Sequence, residues 1–115
     1  MDYQTLLKQA YEAFNARDID AVLALMHPDV DWPNGWEGGY VHGYEEVRDY
    51  WTRQWQQINP RVTPVSFQPG PDGQIDVGVH QLIRDLDGQV IADGLINHVY
   101  TIEAGKIRKM VIESV

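Results

Sequence analysis

The second half of the chain alternates apolar and polar residues, which is the periodicity of β-strands. Four such runs, at residues 62–67, 74–85, 89–103 and 106–115, are separated by short segments rich in glycine, proline and aspartate. Short turns between long strands favour pairing of each strand with the next one along the chain. The pattern therefore predicts an antiparallel meander.

The first half repeats its apolar residues at intervals of three and four, the spacing of one face of a helix. Helices are expected at residues 2–15, 19–26 and 44–58, with Asp2 and Asp18 as the N-caps of the first two. Helices followed by strands are typical of an α+β domain, in which the helices cover one face of a curved sheet.

The hairpin formed by the second and third predicted strands sorts its side chains into two distinct faces. The Asp87-Gly88 pair is a strong turn signal, and pairing across it sets His80 opposite Leu95. Since strand side chains alternate, this register fixes which residues share a face. One face carries Ile75, Val77, Val79, Ile83, Ile96 and Tyr100. The other face carries Leu82, Leu95 and Val99, interrupted by His80, Asp93 and Asn97.

A polar trio set within an apolar surface is typical of a small-molecule pocket. Asp93 is the candidate catalytic base or acid, His80 its partner or proton shuttle, and Asn97 the candidate donor to an oxyanion. The alternative is structural: a buried histidine satisfied by its neighbours, with Arg84 as a second candidate partner for the carboxylate. A register error of one residue would move His80 and Asp93 to the other face.

Large aromatic and aliphatic side chains are expected to line the same pocket. The candidate substrate-binding residues are Trp32, Trp51, Trp55, Phe14, Tyr40, Leu82, Leu95 and Val99. Trp51 and Trp55 are interpreted as core residues with one edge facing the cavity, and each buried indole N–H should then find an acceptor. Trp36, Tyr40 and His42, in and after the glycine-rich loop 34–39, could form a lid or an entrance.

Two histidines, His27 and His98, are interpreted as structural. His27 precedes Pro28 at a predicted helix end, where the dipole favours an imidazole, and His98 falls on the Ile/Val-rich face of the hairpin. No pair of histidines has the spacing of a metal site, so neither a metal nor another cofactor is expected.

Charge and composition narrow the class of partner. The chain has 9 Lys+Arg against 17 Asp+Glu, a net charge of −8, which repels nucleic acid and anionic membranes. It contains no cysteine, and its sequence offers no apolar run of about 18 residues to span a bilayer. These features predict a single cytoplasmic domain over residues 1–115 whose partner is a small apolar ligand.

The Ile/Val face of the hairpin needs a cover if the helices occupy the other face of the sheet. A large exposed apolar surface usually marks an interaction site. The sequence therefore predicts a homodimer through the sheet, with an interface formed by Val77, Val79, Ile83 and Ile96.

Several short motifs together resemble the SnoaL-like branch of the nuclear-transport-factor-2-like superfamily. They are Phe-Asn-Ala-Arg-Asp-Ile-Asp (14–20), Ala-Leu-Met-His-Pro-Asp-Val (24–30), Gly-Tyr-Glu-Glu-Val (43–47) and His-Val-Tyr-Thr-Ile-Glu-Ala-Gly-Lys-Ile (98–107). The similarity extends over nearly the whole chain. It implies a cone-shaped α+β barrel, with three N-terminal helices packed on a curved, mostly antiparallel sheet.

Comparison with the ketosteroid isomerases of that superfamily argues against their familiar mechanism. The position of their general base matches Trp32, that of the oxyanion-hole tyrosine matches Ala10, and that of the second oxyanion donor matches Asn97. The resemblance therefore leaves two functions open. One is a cofactor-independent acid–base enzyme (isomerase, cyclase, dehydratase or hydrolase), and the other is a non-catalytic small-molecule-binding module of the same fold.

Overall fold

The computed structural model describes residues 3–35 and 37–114. Asp2, expected as an N-cap, and Trp36, expected at a lid, lie outside these residues. The elements are helices α1 (Tyr3–Asn15), α2 (Ile19–Leu23) and α3 (Gly43–Gln54), strands β1 (Met26–Pro33), β2 (Tyr40–His42), β3 (Ile58–Pro69), β4 (Gln74–Asp85), β5 (Val90–Glu103) and β6 (Lys106–Ser114), and one 3₁₀ turn (Pro71–Gly73). None of the helices described is long and apolar enough to cross a membrane.

The strands form one six-stranded sheet in the order β2-β1-β6-β5-β4-β3. Strands β3 to β6 pair as the predicted antiparallel meander, whereas β1 lies parallel to β6. The α+β class is confirmed. Within the described chain β2 and β3 are the two edges of the sheet and do not pair, so a closed barrel is not formed. The helices are also not consecutive, because β1 and β2 separate α2 from α3.

The residues predicted to end the second and third helices both lie in strands. Met26 is the first residue of β1 and Ile58 the first residue of β3, so each helix ends several residues earlier than expected. Both residues are apolar and continue the helical spacing of the residues before them. In the structure each points its side chain into the interior from the strand that follows the helix. The start of α2 is as predicted, since the Asp18 carboxylate accepts a 3.1 Å hydrogen bond from the Ala21 amide.

The β4–β5 register agrees with the prediction, although the turn differs. His80 lies opposite Leu95 as expected. The Gly88 amide donates to the Asp85 carbonyl at 3.1 Å, and Gly88 has a φ of 93°, so the loop has three residues and ends in a left-handed glycine. An irregularity between Ile83 and Arg84 then restores the predicted pairing along the rest of the hairpin.

The helices cover the Ile/Val face of the sheet, which corrects the expected interface. Val77 and Val79 are fully buried in one core cluster with Leu7 of α1 and Trp51 of α3. That face is therefore the interior of the protein and does not need a second subunit. The other face, which carries Leu82, Leu95 and Val99, is the outer face of the sheet.

Candidate functional site

A cavity of about 350 Å³ lies between the helices and the inner face of the sheet. Its floor is formed by buried residues, among them Tyr11 and Tyr100, and its mouth by partly exposed ones, of which Ile91 is 57% and Ile112 42% exposed. A volume of this size lies within the range of small-molecule sites, which is about 300–1,000 Å³.

Three side chains form a hydrogen-bonded chain at the floor of the cavity. The Tyr100 hydroxyl donates to the Tyr11 hydroxyl at 2.8 Å, and the Tyr11 hydroxyl lies 2.8 Å from Nδ1 of His98. Helix α1 supplies Tyr11, while β5 supplies His98 and Tyr100, whose side chains share a face because they are two residues apart. The ring of Tyr11 stacks on that of His98 at 5.9 Å and meets that of Tyr100 edge-on.

Burial fixes the protonation states of this polar chain. Desolvation lowers the pKa of His98 to about 4, so its imidazole is neutral near pH 7. Desolvation also raises the pKa of Tyr11, with a further contribution from Tyr100, and burial raises the pKa of Tyr100 itself. Both phenols therefore stay protonated and can donate hydrogen bonds.

One side of the cavity is a cluster of aromatic rings. Trp51 packs edge-on against Trp32 at 5.5 Å and against Phe14 at 5.3 Å, and it stacks on Trp55 at 5.9 Å. Trp51, Trp32 and Phe14 line the cavity, whereas Trp55 lies behind them under the Arg17 guanidinium. This arrangement offers a broad apolar surface to a flat ligand.

The remaining polar groups of the lining are uncharged. Gln81 of β4 and Gln54 of α3 reach the cavity, and the Gln54 amide donates to the Tyr50 hydroxyl at 3.1 Å. No Lys, Arg, Asp or Glu is among the described lining residues. The site is therefore apolar, with a few neutral hydrogen-bonding groups.

The sequence profile of the SnoaL-like domain family matches residues 7–110. The chain belongs to this family. A search of curated proteins gave no match to the sequence.

Solved structures place this SnoaL-like chain within the nuclear-transport-factor-2-like superfamily. An NTF2-like protein of unknown function from Burkholderia pseudomallei is 26% identical and has a TM-score of 0.83, with 97% of this chain and 89% of that one covered. TerC, co-crystallised with polyporic acid, is 25% identical with a TM-score of 0.83, covering 96% and 89%. Rv0760c from Mycobacterium tuberculosis, in complex with estradiol-17β-hemisuccinate, shares the fold at 20% identity and a TM-score of 0.79, covering 93% and 88%.

The polar trio predicted from sequence lies on the outer face of the SnoaL-like sheet. His80 and Asp93 do contact each other, with Nε2 and Oδ1 2.5 Å apart, but both are substantially exposed to solvent. Asn97 shares their face, opposite Gly78 and Glu113. The expectation that these groups face the cavity is therefore wrong, while a catalytic role for them stays a prediction.

Only some of the expected substrate-binding residues line the cavity. Phe14, Trp32 and Trp51 line the cavity as expected. The others do not line it; they are Trp55, Tyr40, Leu82, Leu95 and Val99. Tyr40 is exposed on β2, where the Lys109 ammonium lies 5.3 Å from its ring. Leu82, Leu95 and Val99 do not line the cavity because they lie on the same outer face of the sheet as the polar trio.

Sequence reasoning missed the two residues at the centre of the site. Tyr11 lies on the same helical stripe as Leu7 and Phe14, so the spacing already placed it on the buried side of α1. His98 was interpreted as structural because it lies on the Ile/Val face, which is in fact the cavity face. Its alternation with Tyr100 was the signal that could have identified it.

Two further expectations concern single side chains. The indole Nε1 of Trp55 is buried and has no hydrogen-bond partner among the residues the structure describes, contrary to the expectation for buried indoles. His27 lies in β1 and not at a helix end; its Nε2 is 3.1 Å from a Glu103 carboxylate oxygen. Within residues 3–35 and 37–114, no group of three His, Asp or Glu side chains is arranged to hold a metal ion.

Proposed function

We propose that this SnoaL-like protein binds a neutral, flat and largely apolar small molecule in the cavity and acts on it as a cofactor-independent acid–base enzyme. Isomerisation, cyclisation, dehydration and hydrolysis all belong to this class. The observation that carries the proposal is the Tyr100–Tyr11–His98 chain, which puts proton donors and acceptors on the floor of an otherwise apolar cavity.

The lining favours a ligand without net charge. A charged group brought into an apolar cavity must be paired, because its desolvation is costly. The described lining residues supply aromatic rings, aliphatic side chains, hydroxyls, amides and one neutral imidazole, but no ionic partner. A neutral carbonyl or hydroxyl compound is the class that these groups can satisfy.

The floor residues divide the chemistry between them. A phenol that stays protonated, such as that of Tyr11, can donate to an oxygen on which negative charge develops. The neutral imidazole of His98 can accept a proton from the ligand and return it at another atom. General acid–base catalysis contributes about 10²- to 10⁴-fold in rate when the pKa of the group lies near the working pH, and the pKa of His98, about 4, lies below that range.

Binding can be tested with a panel of apolar ketones, lactones and epoxides. Tryptophan fluorescence reports the cavity directly, because Trp32 and Trp51 line it. We expect quenching by ketones, weaker binding in Tyr11→Phe, and product formation that is lost in His98→Gln. If no compound of the panel changes the fluorescence or the NMR signals of cavity residues, the proposal is wrong. TerC, at 25% identity, was co-crystallised with polyporic acid, which supports a small-molecule ligand for this fold.

A binding module without catalysis is the second candidate function. It is favoured by one observation: the described lining of the cavity contains no carboxylate, so the usual strong base of a proton-transfer site is absent there. The two functions differ in what His98→Gln does. Loss of turnover with retained binding supports the enzyme, whereas ligands that bind and are recovered unchanged from the wild type support the binding module.

A catalytic role for the outer-face trio makes a competing proposal. Asp93 would be the base, His80 its partner and Asn97 the oxyanion donor. The 2.5 Å contact between His80 and Asp93 supports the pairing part of this proposal. It requires the reacting molecule to bind on the outer face of the sheet. Variants of His80 and Asp93 test whether turnover depends on these residues.

A homodimer through the outer face of the sheet is proposed in place of the interface expected from sequence. Leu95 is 58% exposed there, and Leu82, Val99 and Val111 lie on the same face. A second copy packed on this face would remove the exposed leucine from water. It would leave the cavity, which opens on the other side of the sheet, accessible to ligand.

A further inference from the structure

The arginines of this chain fall into two groups of three. Arg48, Arg53 and Arg108 each form an ion pair with at least one carboxylate. The other three form no ion pair with any residue in 3–35 and 37–114; they are Arg17, Arg61 and Arg84. In a chain with a net charge of −8, three cations without a carboxylate partner are unexpected and need an explanation.

The three unpaired arginines meet at one corner of the sheet, where β3 begins and β4 ends. Nη2 of Arg17 donates to Oδ1 of Asn59 and, at 2.6 Å, to the Pro60 carbonyl. Arg61 lies two residues beyond Asn59 on β3, and Arg84 is the register partner of Asn59 on β4. Since alternate residues of a strand and directly opposed residues share a face, Arg61 and Arg84 lie on the same face as Asn59, which is the outer face of the sheet.

Arg17 is held at this corner by neutral groups. Besides its two acceptors on β3, it donates through Nη1 to the Phe14 carbonyl at 3.2 Å, and its guanidinium lies 4.9 Å from the centre of the Trp55 ring. These bonds use three of the five N–H donors of the guanidinium. Burial lowers the pKa of Arg17, and the nearby charge of Arg61 lowers it further. The two cations are therefore close together, and neither is neutralised.

The carboxylates around this corner are engaged elsewhere. Asp18, which follows the first of the three arginines in sequence, caps α2. Asp85, which follows the last of them, accepts hydrogen bonds at 2.9 and 3.0 Å from amides of the hairpin loop. Asp93, on the outer face, contacts His80 at 2.5 Å. None of these carboxylates offsets the repulsion between the arginines, which an anion bound among them would relieve.

We propose that Arg17, Arg61 and Arg84 form a binding site for a small dianionic phosphate. Guanidinium groups bind phosphate oxygens through strong, charge-assisted hydrogen bonds. A dianion neutralises three cations better than a singly charged carboxylate does. The net charge of −8 opposes the approach of nucleic acid or an anionic membrane, which favours a single small anion. None of the three arginines lines the cavity, so this site is separate from that of the proposed function.

A titration with inorganic phosphate tests the site. At pH 8 phosphate is largely dianionic, and ¹H–¹⁵N NMR follows the Nε–H signals of the arginines. We expect saturable shifts in the signals of Arg17, Arg61 and Arg84, whereas the signals of the three paired arginines should not move. Acetate at the same ionic strength is the comparison. It should bind about tenfold more weakly, because it carries one charge instead of two.

Substitutions that remove one charge test which arginines contribute. Arg61→Gln and Arg84→Gln should each weaken phosphate binding about tenfold, the effect of losing one charge-assisted hydrogen bond. Arg48→Gln is the matched control, because it changes the net charge equally but removes an arginine that is already paired with Asp20. Its phosphate affinity should equal that of the wild type. Circular dichroism checks that each variant is folded.

Methyl phosphate distinguishes two sources of the phosphate group. If it binds as tightly as inorganic phosphate, the site accepts a phosphate monoester, and if only inorganic phosphate binds, the ligand is free phosphate; both results support the site. The proposal is wrong if phosphate causes no saturable shifts, if acetate binds equally well, or if all three variants bind phosphate with the same affinity. It is also wrong if single-stranded DNA binds more tightly than phosphate, since the partner is then a polyanion.

Discussion

The Tyr11 hydroxyl and Nδ1 of His98 lie 2.8 Å apart although 87 positions separate them in sequence. This contact joins helix α1 to strand β5 at the floor of the cavity. Both groups are buried, so neither has water as a ready substitute for the other. The relationship therefore links the stability of the fold to the chemistry of the site.

Removal of the Tyr11 hydroxyl is expected to destabilise the protein. In Tyr11→Phe both the Tyr100 hydroxyl and Nδ1 of His98 lose a buried partner, which costs about 1–3 kcal/mol for an unsatisfied group. Urea unfolding followed by circular dichroism measures the loss. Tyr44→Phe, whose hydroxyl is part-buried, should cost less, and equal losses in the two variants would contradict a special role for the floor chain.

Acid is expected to destabilise the fold through His98. Its pKa is about 4 in the folded protein, below the ordinary value of 6.5, so the unfolded chain takes up a proton first as pH falls. The unfolding free energy should therefore fall between pH 6.5 and about 4, by roughly 3 kcal/mol in total. This contribution is fully present above pH 6.5.

The contribution of His98 can be separated from that of other groups by a difference measurement. The unfolding free energy is measured against pH in wild type and in His98→Gln, and the difference between the two curves isolates the contribution of His98. The interval from pH 5 to 6.5 is the most useful one, because carboxylates titrate at lower pH. We expect a positive slope of stability with pH in wild type that is absent from the variant. Parallel curves for the two proteins would show that His98 titrates normally.

The sequence predicted the elements more closely than their faces. Strand β4 was predicted at its observed limits of 74 and 85, and the register of β4 with β5 was correct along most of the hairpin. Alternation and turn residues are local signals, so sequence contains them. The helix ends were less accurate, because Met26 and Ile58 suit either a helical stripe or a buried strand.

The choice of the inner face could not be made from the hairpin alone. Both faces carry apolar residues, and the polar trio predicts a pocket on the face that the structure leaves outside. The side on which helices pack is a tertiary property, and here they pack on the side of Val77 and His98.

Variants of the outer-face pair are expected to leave cavity binding unchanged. His80 and Asp93 lie across the sheet from the lining, so His80→Ala and Asp93→Asn should bind cavity ligands with wild-type affinity and retain turnover. Calorimetry and product analysis of both variants measure this. Loss of turnover in both, with the fold intact, would instead favour the trio predicted from sequence.

Self-association is expected to depend on Leu95. We expect the wild type to sediment as a dimer at micromolar concentration and Leu95→Glu to sediment as a folded monomer, because a charge replaces an exposed apolar side chain at the proposed interface. Analytical ultracentrifugation measures both. The matched control is Val65→Glu, at the β3 edge strand, where an equally exposed side chain lies further from the centre of the sheet. If the wild type sediments as a monomer, the proposed dimer is wrong.

The mouth of the cavity offers a test that does not disturb its floor. Ile112 lines the cavity yet is 42% exposed, so a larger side chain can be accommodated there with little strain. Ile112→Trp should narrow the mouth and weaken binding of cavity ligands, with an unfolding free energy within about 1 kcal/mol of wild type. Glu113→Trp adds the same ring on the outer face and should not change ligand affinity, since adjacent strand residues point to opposite sides. Equal effects of the two substitutions on affinity would show that ligands do not enter the cavity past Ile112.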